Sequence, residues 1–238
     1  MISAQIQLTD QDARSTASSR GSAKLGQLAS TADGRQYAYG TAGAVALSAG
    51  KLNISSPLVA NHITRTAAAT AAGSTSVAVA VGATEVTADQ YAGGFLAVDV
   101  GPGQNLYLIV GNTSAGSSGT TTVTLAEPLT VALTTSSKLS LYPNTYANLI
   151  VSSSAVAFQA AGVANVDVAA ANYAWFQVNG YCAVLSDGAI TKGAGAIISD
   201  AVAGAVEIEV AATVTQRIGF APELTVDTAY KPIFLTLR

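Results

Sequence analysis

The sequence predicts an all-β protein, built of one or two compact barrel or sandwich units with an extended N-terminal arm, and three observations lead there. Short apolar bursts recur along the chain between Gly and Ser turns, which is the spacing of strands rather than helices. In Val77-Ala78-Val79-Ala80-Val81 and Thr122-Val123-Thr124-Leu125 the pattern alternates at period two, so one face can be buried and the other left to water. The densest apolar run, residues 173–185, gathers the only Trp, the only Cys and three further aromatics.

Residues 1–35 have a different texture. Ser, Thr, Gln, Asp and Arg prevail there, and Ile6, Leu8, Leu25 and Leu28 are isolated apolar anchors. A segment this polar cannot bury enough surface to offset its own ordering entropy, so it reads as an arm that orders on a partner. Its charges, Asp10, Asp12, Arg14, Arg20, Lys24, Asp33 and Arg35, roughly balance, unlike those of a basic nucleic-acid tail.

From Tyr37 onward strands are expected over 44–47, 51–54, 76–81, 94–100, 106–110, 120–125 and 138–141. Gly82, Gly101-Pro102-Gly103, Gly111-Asn112 and Pro143-Asn144 supply breaks between them. The Ala/Val-rich segment 163–171 reads as strand on the strength of Val163, Val166 and Val168.

Over 173–179 the side chains alternate, with Tyr173, Trp175 and Gln177 facing one way and Ala174, Phe176 and Val178 the other. That is the pattern of a strand covered on both sides. Asn179-Gly180 then predicts a two-residue hairpin turn, because both residues accept positive φ, and 181–185 would be the returning strand. Tyr173, Trp175, Phe176, Val178 and Tyr181 are the expected side chains of this core hairpin, with Trp175 filling the interior. Strands resume over 196–199, 205–211, 218–221 and 233–237. The body, 36–238, reads as one unit or as two subdomains meeting near 145–165. One phrase recurs: Val86-Thr87-Ala88-Asp89-Gln90-Tyr91-Ala92 echoes Val168-Ala169-Ala170-Ala171-Asn172-Tyr173-Ala174, an irregular echo rather than a periodic repeat.

Composition narrows the function. Only 11% of the 238 residues are charged, and a net charge of -3 gives no electrostatic reason to expect nucleic-acid contact. A surface of small and hydroxyl side chains suits burial against a partner. The chain holds a single Cys, so no disulfide can form within it, and Cys182 reads as a small buried hydrophobe. His62, the sole histidine, has no nucleophile motif near it, and no Gly-x-Ser-x-Gly elbow, P-loop or metal-ligand spacing occurs. The expectation is therefore no catalysis, no cofactor and no metal site. No run reaches the roughly 18 apolar residues of a membrane span, and the start carries no cationic, apolar leader, so a protein made in the cytoplasm and free of membranes is expected.

Several phrases carry a resemblance. Asp33-Gly34-Arg35-Gln36-Tyr37-Ala38-Tyr39, followed by Gly43-Ala44-Val45-Ala46-Leu47-Ser48-Ala49-Gly50-Lys51-Leu52, looks like the start of small virion proteins of tailed phages. Tyr91-Ala92-Gly93-Gly94, Gly101-Pro102-Gly103-Gln104-Asn105-Leu106-Tyr107-Leu108-Ile109, Val123-Thr124-Leu125-Ala126-Glu127-Pro128-Leu129 and Tyr173-Ala174-Trp175-Phe176-Gln177-Val178-Asn179-Gly180 are similar to segments of phage head proteins, especially capsid decoration or cement proteins. The resemblance implies a structural virion protein on the capsid surface whose partner is the major capsid protein and which self-associates as a homotrimer. On that expectation Ile6, Leu8, Leu25 and Leu28 would anchor the arm to the capsid. A tail or fibre component is the alternative, and a carbohydrate-binding protein or enzyme ranks last.

Overall fold

The computed structural model describes residues 6–153, 159–210 and 216–238, and it is almost entirely β. Residues 1–5 of the expected arm, 154–158 of the expected boundary and Ala211 of the expected 205–211 strand lie outside the described residues. The chain divides into two compact units, one made of Met1–Pro57 with Thr145–Arg238 and the other of Leu58–Asn144, so the second interrupts the first in sequence.

The first unit opens with β1 (Ile6–Leu8), β2 (Thr16–Ala17), β3 (Leu28–Thr31), β4 (Gln36–Thr41) and β5 (Leu52–Ile54). The second carries β6 (Arg65–Thr66), β7 (Ser76–Ala80), β8 (Phe95–Val100), β9 (Leu106–Asn112), β10 (Thr120–Leu125) and β11 (Lys138–Tyr142). The first unit then resumes with β12 (Ile150–Val151), β13 (Ala160–Ala164), β14 (Tyr173–Leu185), β15 (Gly195–Ile198), β16 (Val206–Ile208), β17 (Arg217–Phe220) and β18 (Tyr230–Thr236). Two single turns of 3₁₀-helix, Asp12–Arg14 and Ala60–His62, are the helical elements among the described residues.

The unit Leu58–Asn144 is a six-stranded sheet in the order β6-β11-β8-β9-β10-β7. Its ends nearly meet, through a bridge between Ala67 and Val79 and the Ala68 N–H donating to the Ala78 carbonyl, so the sheet is barrel-like. The period-two pattern does what alternation dictates: Val77 and Val79, Val123 and Leu125, Leu139 and Leu141 point inward to one buried cluster. Closing the sheet leaves little free edge for unwanted pairing.

In the other unit β14 is the central strand, 13 residues long, and it is not a hairpin. Its first half pairs with β4 and its second half with β18, Asn179 facing Gln36 on one and Thr236 on the other. The expected turn at Asn179-Gly180 is instead the place where the strand changes partner. The β4 register slips between Gln177 and Asn179, a bulge at Val178, and the Asn-Gly pair, with Gly180 at φ +87, continues in register with β18 instead of reversing the chain. Each half finds a long-range partner, seven paired residues in the case of β18, and this outweighs the pairing of two five-residue arms across a tight turn.

The N-terminal residues are also part of this sheet. β1 runs parallel to β3, with Ile6 opposite Ala29 and Leu8 opposite Thr31, and β2 pairs with the start of β14. Ala13 is buried, and Asp10 is ion-paired to Arg35. The expectation of a free arm over 6–35 is thus corrected: two alternating apolar side chains and a strand to pair with suffice to seat it. The segment 163–171 is strand only as far as Ala164, and 44–47 contributes only a bridge from Leu47 to Val168.

The sequence echo has a structural counterpart. Asp89 and Ala171 occupy the same place in it and both adopt the left-handed conformation, φ +57 and +60, while the Gln90 and Asn172 N–H groups bond back to the Thr87 and Ala169 carbonyls. The two phrases are one turn solution used twice, each feeding an inward Val and a following Tyr.

Candidate functional site

Three surfaces concentrate the chemistry of the described residues. The first lies on the outside of the Leu58–Asn144 barrel. β8 and β9 pair with Phe95 opposite Leu108 and Ala97 opposite Leu106, and the same face continues to Val110. Phe95, Leu106, Leu108 and Val110 are 40–59% exposed, because the alternating partners Leu96, Tyr107 and Ile109 already fill the interior. The outward residues of neighbouring β10 are Thr120, Thr122 and Thr124, so the apolar stripe is bordered by uncharged hydroxyls.

The second is a groove of about 410 Å³ in the other unit. Its walls follow from strand register. On one face of β14 and β18, Tyr181 pairs with Phe234, Ala183 with Pro232 and Leu185 with Tyr230. Tyr181 and Tyr230, 58% and 52% exposed, stand four residues apart along the pair, roughly 13 Å at strand rise, with the small Ala183 between. Gly50 lies under the Tyr230 ring, where a Cβ would sit 2.5 Å from it. Arg14 and Arg35 overhang the groove. Arg35 is committed: its Nη2 lies 2.5 Å from Asp10 and its Nε 2.6 Å from Asp33. The Thr31 hydroxyl, with Arg35, holds the Asp33 carboxyl down at about 2, so this pair is intact at neutral pH. Arg14 has no ion-pair partner among the described residues.

The groove floor is a closed amide network. Asn165 donates to the Gln177 Oε1 at 2.9 Å, and Gln177 donates to the carbonyls of Asn179 and Tyr181 at 3.1 and 2.8 Å. The Cys182 thiol donates to the Asn165 Oδ1 at 3.3 Å. Burial pushes that thiol up to about 12, partly opposed by Arg35, so Cys182 is a neutral donor and not a nucleophile.

The third surface is an aromatic cup in the same unit. Tyr39 stacks on Tyr173 with centroids 5.9 Å apart and tilts against Trp175 at 4.9 Å. Burial raises the Tyr39 phenol. Trp175 is buried with Tyr37, as expected, while Phe176 and Val178 point to the opposite side of β14 and a separate cluster. Ile6 and Leu8 are half-buried against the Trp175 cluster, and Leu25 and Leu28 against the Phe176 cluster, so all four proposed anchors lie on the chain's own body. Tyr181 is corrected from core to surface, because the register slip between Gln177 and Asn179 interrupts the alternation of β14, so that Cys182 and Val184 turn inward and the Tyr181 ring is left exposed.

His62 is buried and occupied. The Tyr91 hydroxyl donates to its Nδ1 at 2.5 Å while its Nε2 donates to the Thr84 carbonyl at 3.0 Å. Among the described residues no group of three His, Cys, Asp or Glu side chains is arranged to hold a metal ion, and no helix is long and apolar enough to cross a membrane. No family model, curated protein or solved structure matches this chain. Function must therefore be argued from these surfaces. The groove was not legible beforehand because Arg14, Arg35, Gly50, Asn165 and Tyr230 come from separate segments. The one advance signal was the period-two run Tyr230, Pro232, Phe234 opposite a strand already singled out.

Proposed function

We propose that the chain is a structural virion protein that binds the outside of an assembled phage capsid and reinforces its lattice, with the major capsid protein as partner and self-association as a homotrimer. The observation that carries this reading is the outer stripe Phe95, Leu106, Leu108 and Val110, an uncharged apolar surface bordered by threonines. Apolar surface on a sheet face whose interior is already full contributes nothing to the fold, and burying it against a partner is favourable. The low overall charge and the phrases similar to phage head proteins support the same reading, which assigns no enzymatic activity and no cofactor.

The test is co-sedimentation with empty capsids. Leu106→Ser with Leu108→Ser should weaken binding at least tenfold while far-ultraviolet circular dichroism and melting stay close to the parent, since neither side chain is interior. Equal binding by parent and variant removes the stripe from the interface. Recovery of the protein only from separated tails replaces the capsid reading with a tail or fibre component.

A further inference from the structure

We propose that the groove between Tyr181 and Tyr230 binds a carboxylate-bearing sugar residue of a glycan. This inference stands apart from the capsid-binding reading: it rests on the unit that does not carry the apolar stripe, and neither result decides the other.

A concave site of about 410 Å³ falls within the range that small-ligand sites occupy, and this one is open to solvent rather than enclosed, so a sugar unit can enter it while the rest of a glycan stays outside. The two walls are aromatic, and a sugar ring offers apolar C–H faces that such rings can cover. The floor between them, Ala183 and Gly50, is small and lets a ring approach the sheet; any side chain at Gly50 would meet Tyr230.

Charge then selects the ligand. Arg35 is matched by Asp10 and Asp33, which leaves Arg14 as the groove's one uncommitted cation among the described residues, one positive group for one negative group. A guanidinium takes a carboxylate through two parallel hydrogen bonds. A polyphosphate or a nucleic-acid strand would demand several such cations, against a chain whose net charge is -3. Preorganisation completes the case. Asn165 and Gln177 are held by each other and by backbone carbonyls, so the floor need not reorder when a ligand enters.

The experiment applies the full chain to an array of immobilised neutral and acidic glycans, with affinities for retained glycans then measured by calorimetry. The expected result is retention of glycans bearing uronic or other carboxylated sugars, with at least tenfold loss on methyl esterification of the carboxylate. Arg14→Gln should abolish the preference for acid, and Tyr181→Ala should lower affinity for acidic glycans at least tenfold. Arg14 is exposed and has no ion-pair partner among the described residues, so its variant keeps the fold, and melting checks this for both. No retained glycan, equal retention of neutral and acidic glycans, or affinities that neither substitution changes would each overturn the proposal.

Discussion

Tyr181 stands edge-on to Phe234, with ring centroids 5.1 Å apart and planes at 89°, and the two are direct partners in the register of β14 and β18. Phe234 in turn lies against Phe220, its partner on β17, at 5.0 Å and 19°. Three strands are therefore tied on their outer face by one row of rings, over the point where β14 has exchanged β4 for β18.

Phe234 is the middle ring, so its removal breaks both contacts. Phe234→Ala should lower stability by about 1–2 kcal/mol, the sum of two cross-strand pairs. Phe176→Ala, on the inner side of β14 and fully buried, should cost about 3–5 kcal/mol. Urea unfolding of both variants measures the difference, and equal losses would show that the outer row carries as much of the fold as the interior.

The N-terminal strand makes a second prediction. Ile6 and Leu8 pack on the cluster holding Trp175, the sole tryptophan, so its emission reports on that contact. The double substitution Ile6→Ala and Leu8→Ala should shift native emission to longer wavelength and cost about 1–3 kcal/mol for the apolar area lost. Trp175→Ala itself should cost about 3–5 kcal/mol. Unchanged emission in the double variant would mean that β1 does not shield the ring.

These residues also show where the sequence was legible. Alternation at 76–81 and 120–125 placed strands and their inward faces, since a side-chain period of two needs only local information. The same rule separated Trp175 from Phe176. Asn179-Gly180 misled because a turn signal reports only that positive φ is tolerated. Whether the chain reverses there depends on partners as distant as Gln36 and Thr236. The polar texture of 6–35 misled for a related reason: hydrogen bonding to β3 and a few well-placed apolar contacts are properties of the assembled sheet. The groove, built from six segments, left no local pattern to read.

Cys182 gives a prediction in pH. Burial raises its thiol from 9.0 to about 12, so the unfolded chain loses this proton first as pH rises. The contribution is whole below about pH 9 and is lost between there and pH 12, with a slope of up to about 1.4 kcal/mol per pH unit. Cys182→Ala removes this one titration. The stability difference between parent and variant, followed by urea unfolding from pH 8 to 11, should therefore move against the parent as pH rises. A constant difference would place the thiol at an ordinary value. Native Cys182 should also react with a thiol reagent at pH 8 far more slowly than the unfolded chain.

The repeated turn yields the last prediction, because its two copies carry different residues at one strained position. Ala171 holds φ +60 with a Cβ that gains nothing there, whereas Asp89, at φ +57, places its Oδ1 3.4 Å from the Asn112 N–H. Left-handed backbone costs an ordinary L-residue about 1–2 kcal/mol, and glycine adopts it freely but adds about 0.5–1 kcal/mol of unfolded-state entropy. Ala171→Gly should therefore raise stability by about 0.5–1 kcal/mol. Asp89→Gly gains the same backbone relief but loses the carboxylate's contact, and Asp tolerates this conformation better than Ala, so it should be neutral or destabilising. Melting temperatures of the two single variants test the contrast directly. A fall in stability for Ala171→Gly would mean that the turn at residue 171 stores no strain that glycine can relieve.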